Sequence, residues 1–309
     1  MRVVFDSRPA ADVRGIGRYA RSLLDALRAT CADGDVLTEG DRPRRCDVFH
    51  TPWIDGARVR TACPQVVTLH DLVPLKRRGE YLRTGLRFKL RYLAVQRAAQ
   101  VIVPTRAVAA DAVAHLGIDA SRVTVIGEAP APALHARGED EVAAVRERFG
   151  LPDDYLLWVG GLEFPDPRKR VAELAAAPRD LPLVLAGPTS RWAHELDGVL
   201  LTGRVSDDEL AALYTGAHAL LLASDDEGFG LTPVEALACG TPVVACEVPA
   251  LREVLGDRVT FVASDDVPGL LTAGAAATRP APPPPAWTWE DAARATWDVY
   301  RAVAADGTP

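Results

Sequence analysis

Residues 224–246 read SDDEGFGLTPVEALACGTPVVAC. The apolar run before them, Ala219 to Ala223, has the length and character of a buried strand. Ser224 to Glu227 is a polar turn. Gly228, Phe229 and Gly230 follow, a backbone able to take positive φ and to lie close to a ligand. Thr232 is a good N-cap, Pro233 suits the first helical position, and Glu235 stands three residues after the cap. The helix ends near Gly240, and Val243 to Cys246 reads as a second buried strand. A glycine loop that feeds a helix start presents N–H groups and the positive end of a dipole, which suits an anion such as phosphate. Glu227 and Glu235 frame that site. Each has an ordinary reading, as a solvated loop acid or as half of a capping box. Each also has a functional one, accepting hydrogen bonds from the hydroxyls of a ligand whose phosphates sit on the helix end.

Glu227 to Ala245, E-G-F-G-L-T-P-V-E-A-L-A-C-G-T-P-V-V-A, resembles the donor-site signature of family 4 retaining glycosyltransferases, which have the GT-B fold. The resemblance implies that Glu227 contacts sugar hydroxyls and Glu235 the ribose. It assigns the diphosphate to backbone N–H groups of Gly228, Phe229, Gly230, Leu231 and Thr232. It also implies an α/β molecule of two Rossmann-like parallel-sheet domains facing across a cleft, with a C-terminal helix crossing back to the N-terminal domain.

At 309 residues and a net charge of −7 the chain is ordinary globular material for one large or two medium domains, and its charge does not suggest nucleic acid. The five cysteines, Cys31, Cys46, Cys63, Cys239 and Cys246, show no metal-ligand spacing and no disulfide frame, so a reducing cytoplasm is expected. The N-terminus MRVVFDSRP is a short strand and not a signal peptide. No apolar run approaches the roughly 18 residues needed to span a bilayer.

Strands are expected at Arg2 to Phe5, Asp47 to His50, Val66 to His70, Val101 to Pro104 and Arg122 to Ile126. After the first comes a loop holding Gly15 and Gly17, then a helix from about Arg18 to Ala29 with Tyr19, Leu23, Leu24 and Leu27 on one face. The loop is either a simple turn or a place where a phosphate or sugar approaches. R-G-I-G-R-Y-A-R-S-L-L resembles the opening of many family 4 transferases, which implies the second reading. His50 and His70 end their strands, and ligands gather at the carboxyl ends of parallel strands. V-V-T-L-H-D-L-V-P-L resembles the segment bearing the family's active-site histidine, a role that maps onto His70. From Lys76 to Arg97 the chain is basic, with Leu82, Leu86, Leu90 and Leu93 as an apolar stripe. This 76–97 region is a solvated helix face or a candidate peripheral contact with anionic lipid on the cytoplasmic face of a membrane. Arg106 to Leu116 is a helix closed by Gly117. Where the family often has Asn-Gly-Val, this chain has Gly127-Glu128-Ala129-Pro130. Asp140 to Leu151 is a short helix, and the domain boundary is set near Gly150, giving 1–150 as the acceptor domain, 151–286 as the donor domain and 287–309 as the returning helix.

The second domain restarts at the strand Tyr155 to Val159, followed by Gly160-Gly161-Leu162-Glu163 and P-D-P-R-K-R. This run resembles the family's diphosphate-clamping loop, with Gly160 in its turn, Lys169 as the clamp and Arg168 as its supplement. Gly161 stands where many members carry Arg. Further strands are expected at Leu183 to Ala186, Val199 to Thr202 and Val259 to Val262. Ser206 and Glu209 form a capping box; in the family the loop before that helix, here Val205, packs on the nucleotide base. A last helix runs from Trp289 to Val303, capped by Thr288.

The expected activity is retaining, metal-independent transfer of a hexose from a GDP-, UDP- or dTDP-sugar to a glycan, lipid-linked or small-molecule acceptor. No D-x-D metal motif and no cofactor is expected. Glu227, His70 and Lys169 carry the chemistry, and no second carboxylate is placed as a nucleophile. The alternatives are a sugar-nucleotide 2-epimerase and a catalytically inactive nucleotide-sugar binding protein.

Overall fold

The computed structural model describes residues 1–12, 14–77 and 85–306. Its contacts divide the chain into Met1–Ala129 with Trp287–Pro309, and Pro130–Ala286.

The first unit is built on β1 (Arg2–Phe5), β2 (Val36–Glu39), β3 (Val48–Thr51), β4 (Gln65–Thr68), β5 (Gln100–Val103) and β6 (Val123–Val125). They form one sheet in the order β2-β1-β3-β4-β5-β6, with every neighbour parallel. A parallel sheet is covered on both faces, so its strands are apolar throughout and not alternating; β3 and β4 are buried at every position. The helix Gly15–Ala29 buries Tyr19, Leu23, Leu24 and Leu27, the face its spacing predicted. It begins earlier than expected, with Arg18 N–H already bonded to the Arg14 carbonyl at 3.0 Å. Gly15 and Gly17 therefore lie in the helix's first turn instead of a preceding loop. The C-terminal helix Trp289–Asp306 returns to this unit. Thr288 caps it, accepting from Asp291 N–H at 3.1 Å. Trp297, 1% exposed, donates its indole N–H to the Leu27 carbonyl at 3.2 Å.

Two expectations for this unit are corrected. In the helix Leu86–Gln96 the buried residues are Tyr92, Ala94 and Val95, while Leu90 is exposed. Arg78, Leu82 and Arg83 of the basic stretch lie outside the described residues, as do the side chains of Leu86 and Arg87. Of the stretch's other cations, Lys76 pairs with Asp111 at 2.9 Å and Arg91 with Asp55 at 2.8 Å. Second, Cys46 and Cys63 form a disulfide, their Cα atoms 6.1 Å apart. Each cysteine lies just ahead of a strand, β3 and β4, and those strands are neighbours. Pairing brings together residues whose spacing in sequence carries no motif.

The second unit holds β7 (Leu156–Val159), β8 (Leu183–Ala186), β9 (Val199–Gly203), β10 (Ala219–Leu222), β11 (Val243–Cys246) and β12 (Thr260–Val262). Their order is β12-β11-β10-β7-β8-β9, all parallel. The chain winds outward from β7 in one direction and then, from β10, in the other, so the switch point of this doubly wound sheet lies between β7 and β10. The helix Glu139–Phe149, closed by Gly150 at φ 61°, belongs here: it buries Val142 and Val145, and a Cβ on Gly216 would press on Val142. The boundary set near Gly150 therefore falls at residues 129–130, because the apolar side of this helix packs on the second unit, against its helix Asp207–Gly216.

Candidate functional site

In the second unit, the loops after β7 and β10 meet at the switch point. Glycines line this edge because backbones approach closely. Gly160 N–H bonds the Ala186 carbonyl at 2.9 Å and Gly187 N–H bonds the Gly203 carbonyl at 3.1 Å. A Cβ on Gly160 would run into the Trp158 ring.

The β7 loop then turns through Pro167–Lys169, which Asp166 caps by accepting the Arg168 N–H at 3.2 Å. Arg170 closes the turn in the left-handed region, φ 52°. The loop is tied to the β10 loop by main chain, Asp225 N–H to the Arg168 carbonyl at 3.1 Å. The Arg168 guanidinium reaches the Asp226 carbonyl at 3.3 Å and the Glu227 carboxylate at 3.4 Å. Lys169 stands with its ammonium 5.6 Å from the Trp158 ring centroid, a cation–π contact. Gly160, Arg168 and Lys169, picked from one motif, and Glu227, picked from another, are thus neighbours on one sheet edge.

The helix after the β10 loop is Leu231–Ala238, and its N-cap is Gly230 at φ 89°. The expected cap at Thr232 is corrected: Gly230 turns the chain two residues earlier, so Leu231 and Thr232 are in the first turn. The first N–H groups of a helix have no intrahelical acceptor and suit an anion. Glu235 is no capping-box partner. It faces inward, 1% exposed, and accepts the Tyr214 hydroxyl at 3.2 Å. Phe229 is buried in the same core, and Val205 and Leu231 pack against its edge. Gly228 continues the loop between Glu227 and Phe229.

In the first unit the switch point lies between β1 and β3. Asp6 is fully buried there. Burial alone would raise its carboxyl, but bonds from Arg8 at 2.7 and 2.6 Å and from the Trp53 indole at 3.2 Å hold it below the ordinary carboxylate range. His50 is also fully buried, inside β3 and not at an open strand end. Its nitrogens meet the Tyr300 hydroxyl at 2.5 Å and the Thr68 hydroxyl at 2.9 Å. Burial, reinforced by the neighbouring His70, pushes it down to about 3. His70 lies two residues past β4, beside Glu128 at 3.3 Å and the Pro52 carbonyl at 3.0 Å. A Cβ on Gly17 would overlap the Asp12 carbonyl, so that glycine serves the packing of the loop before its helix, whereas the space around Gly15 is open. Sequence reasoning singled out neither Asp6, Glu128 nor Trp158 as site residues. Asp6 and Trp158 carried one usable signal, their place at the carboxyl end of a strand.

A profile described as Glycosyl transferases group 1 matches residues 153–277, and one described as Glycosyltransferase Family 4 matches residues 42–128. The D-inositol 3-phosphate glycosyltransferase of Xylanimonas cellulosilytica is 32% identical over 305 residues, covering 82% of this chain and 71% of that protein. The serotype-specific mannosyltransferase WbdA of Escherichia coli is 27% identical over 232 residues, covering 67% of this chain and 27% of its own length. The crystal structure of Anabaena HepE in complex with UDP-glucose superposes with a TM-score of 0.70 at 14% identity, covering 99% of this chain and 98% of that one.

Proposed function

The chain belongs to the group 1 glycosyl transferases of family 4, and from that membership we propose that it moves a hexose from a nucleoside-diphosphate sugar to an acceptor hydroxyl, with retention and without a metal ion. The observation that carries the reading is the cluster at the β7–β10 switch point, where Arg168 stands 3.4 Å from Glu227 and Lys169 sits over Trp158. In this reading the diphosphate lies on the start of the helix Leu231–Ala238, held by backbone N–H groups from Gly228 to Thr232. Lys169, supplemented by Arg168, stabilises the charge that develops on the leaving nucleoside diphosphate. Preorganised donors of this kind are worth roughly 3 kcal/mol each. Glu227 binds sugar hydroxyls, and Glu235 receives the ribose at the inner end of the site. With no second carboxylate in the role of nucleophile, the departing phosphate oxygen takes the acceptor proton on the same face of the sugar.

Relatives that act on D-inositol 3-phosphate or transfer mannose make a small phosphorylated alcohol and a growing glycan the first acceptors to try, with GDP-, UDP- and dTDP-sugars as donors. A lipid-linked acceptor remains part of the proposal through the basic 76–97 region. It predicts salt-sensitive binding to anionic liposomes; no binding at low salt removes it. Among the described residues no helix is long and apolar enough to cross a membrane.

The test of donor binding is a thermal-shift panel of GDP-, UDP- and dTDP-sugars in EDTA on the wild type and on Lys169→Ala. A shift for one nucleotide series, lost in the variant, supports the assigned clamp. A shift that needs divalent metal, or that survives the variant, overturns it. The anomeric configuration of the product, read by NMR, tests retention.

A further inference from the structure

His70 has both ring nitrogens engaged within the first unit. Nε2 lies 3.0 Å from the Pro52 carbonyl oxygen, which only accepts, so Nε2 carries a hydrogen. Nδ1 lies 3.3 Å from the Glu128 carboxylate, whose side chain is 3% exposed. An ionised carboxylate also only accepts, so the contact requires a hydrogen on Nδ1 as well. We propose that Glu128 is a positioning residue that holds His70 as a doubly protonated imidazolium, so that His70 serves the transfer as a fixed cation instead of a base. That part in the transfer rests on the function proposed above; the charge state does not.

Every described group facing the ring is consistent with this assignment. Glu128 comes from the loop after β6 and Asp71 from the ring's own loop, and both favour the cation. His50, from β3, is kept neutral by burial and adds no opposing charge. The Tyr19 ring, from the helix Gly15–Ala29, meets His70 edge to face at 4.5 Å, with its hydroxyl turned to Thr68 at 3.1 Å. Burial pulls His70 toward the neutral form, but the bonds to Glu128 and Pro52 outweigh it and leave the imidazolium favoured beyond its ordinary range. Glu128 stands where the sequence departs from Asn-Gly-Val. An imidazolium with both hydrogens committed has no lone pair to accept a proton. That agrees with a same-face reaction in which the leaving phosphate, and not a side chain, accepts the acceptor's proton.

The decisive experiment is a titration of the ring nitrogens of His70 by NMR on the intact protein, assigned with His70→Gln. The wild type should keep both nitrogens protonated above the ordinary value of ~6.5. Glu128→Gln should lower that titration by at least about one unit and leave the Nε2 hydrogen on Pro52. Glu128→Asp should restore part of the shift. A wild-type ring bearing one hydrogen at pH 6.5, or an unchanged titration in Glu128→Gln, overturns the proposal. Should the glutamine variant not fold, the wild-type titration decides alone. In turnover, the alkaline limb of kcat/KM should move down with the titration, giving roughly tenfold slower transfer at one pH unit above the variant's midpoint. A titration as expected, with no transfer to any acceptor, would fault the functional reading and leave the charge assignment standing.

Discussion

A methyl group at position 187 would overlap the carbonyl oxygen of Gly160, on a backbone at φ 142° that side chains rarely adopt. Gly187→Ala should therefore destabilise the protein by about 1–3 kcal/mol, read as a lowered midpoint of chemical denaturation. Because Gly160 lies against Trp158 and Lys169, nucleotide-sugar binding should weaken in the same variant, as calorimetry would show. Lys169→Ala tests a different effect at the same edge. Its side chain is half-buried with the ammonium over the Trp158 ring, so the fold should be retained while kcat falls by roughly 10²–10³. A kcat within a few-fold of the wild type would remove Lys169 from the clamp.

Elements show where local pattern was sufficient. Ser206 and Glu209 form the box read from the sequence, Glu209 N–H to the Ser206 hydroxyl at 3.2 Å and Ser206 N–H to the Glu209 carboxylate at 2.8 Å. Ser206→Ala should cost about 1 kcal/mol, visible as a lowered melting temperature. The same rule misread Thr232 and Glu235. A glycine in the left-handed region can begin a helix without a side-chain cap, and the two-residue advance at Gly230 turns Glu235 into the core beneath Tyr214. The parallel strands were legible because burial on both faces leaves an apolar run in the sequence. The buried face of Leu86–Gln96 was not, since several apolar residues compete and only the packing surface chooses Val95 over Leu90. For the site, the glycines, Lys169 and Glu227 announced themselves by motif. Glu128 did not: a lone acid in a loop gains meaning only when β6 and β4 bring it beside His70. The Cys46–Cys63 bond and the owner of the helix Glu139–Phe149 likewise depend on which distant segments become neighbours.

At the scale of the molecule, the first unit depends on residues from both ends of the sequence. Trp297 and Tyr300 are buried against Leu27 and His50. Trp297→Ala should cost about 3–5 kcal/mol, measured by denaturant unfolding followed with a probe in the first unit. The same region sets a response to acid. His50 is held down to about 3 when folded and returns to ~6.5 when unfolded. Between those values the unfolded chain binds the extra proton, so His50 contributes stability above pH ~6.5 that is lost as pH falls, at a slope approaching about 1.4 kcal/mol per unit. His70 acts oppositely, its folded value being raised: its contribution is present below ~6.5 and is lost as pH rises through the folded value. Unfolding curves of His50→Gln between pH 4 and 7 should lose the acid slope. The division of the chain also sets an order in time. Pro130–Ala286 is one continuous segment, whereas the other unit is completed by Trp287–Pro309. During synthesis β1 to β6 emerge before the middle segment, and the helix that covers His50 and Leu27 emerges after it. The middle segment has all of its own parts earlier, so it is ready to mature before the unit whose strands precede it, and that unit keeps an apolar face open to chaperones until the returning helix arrives.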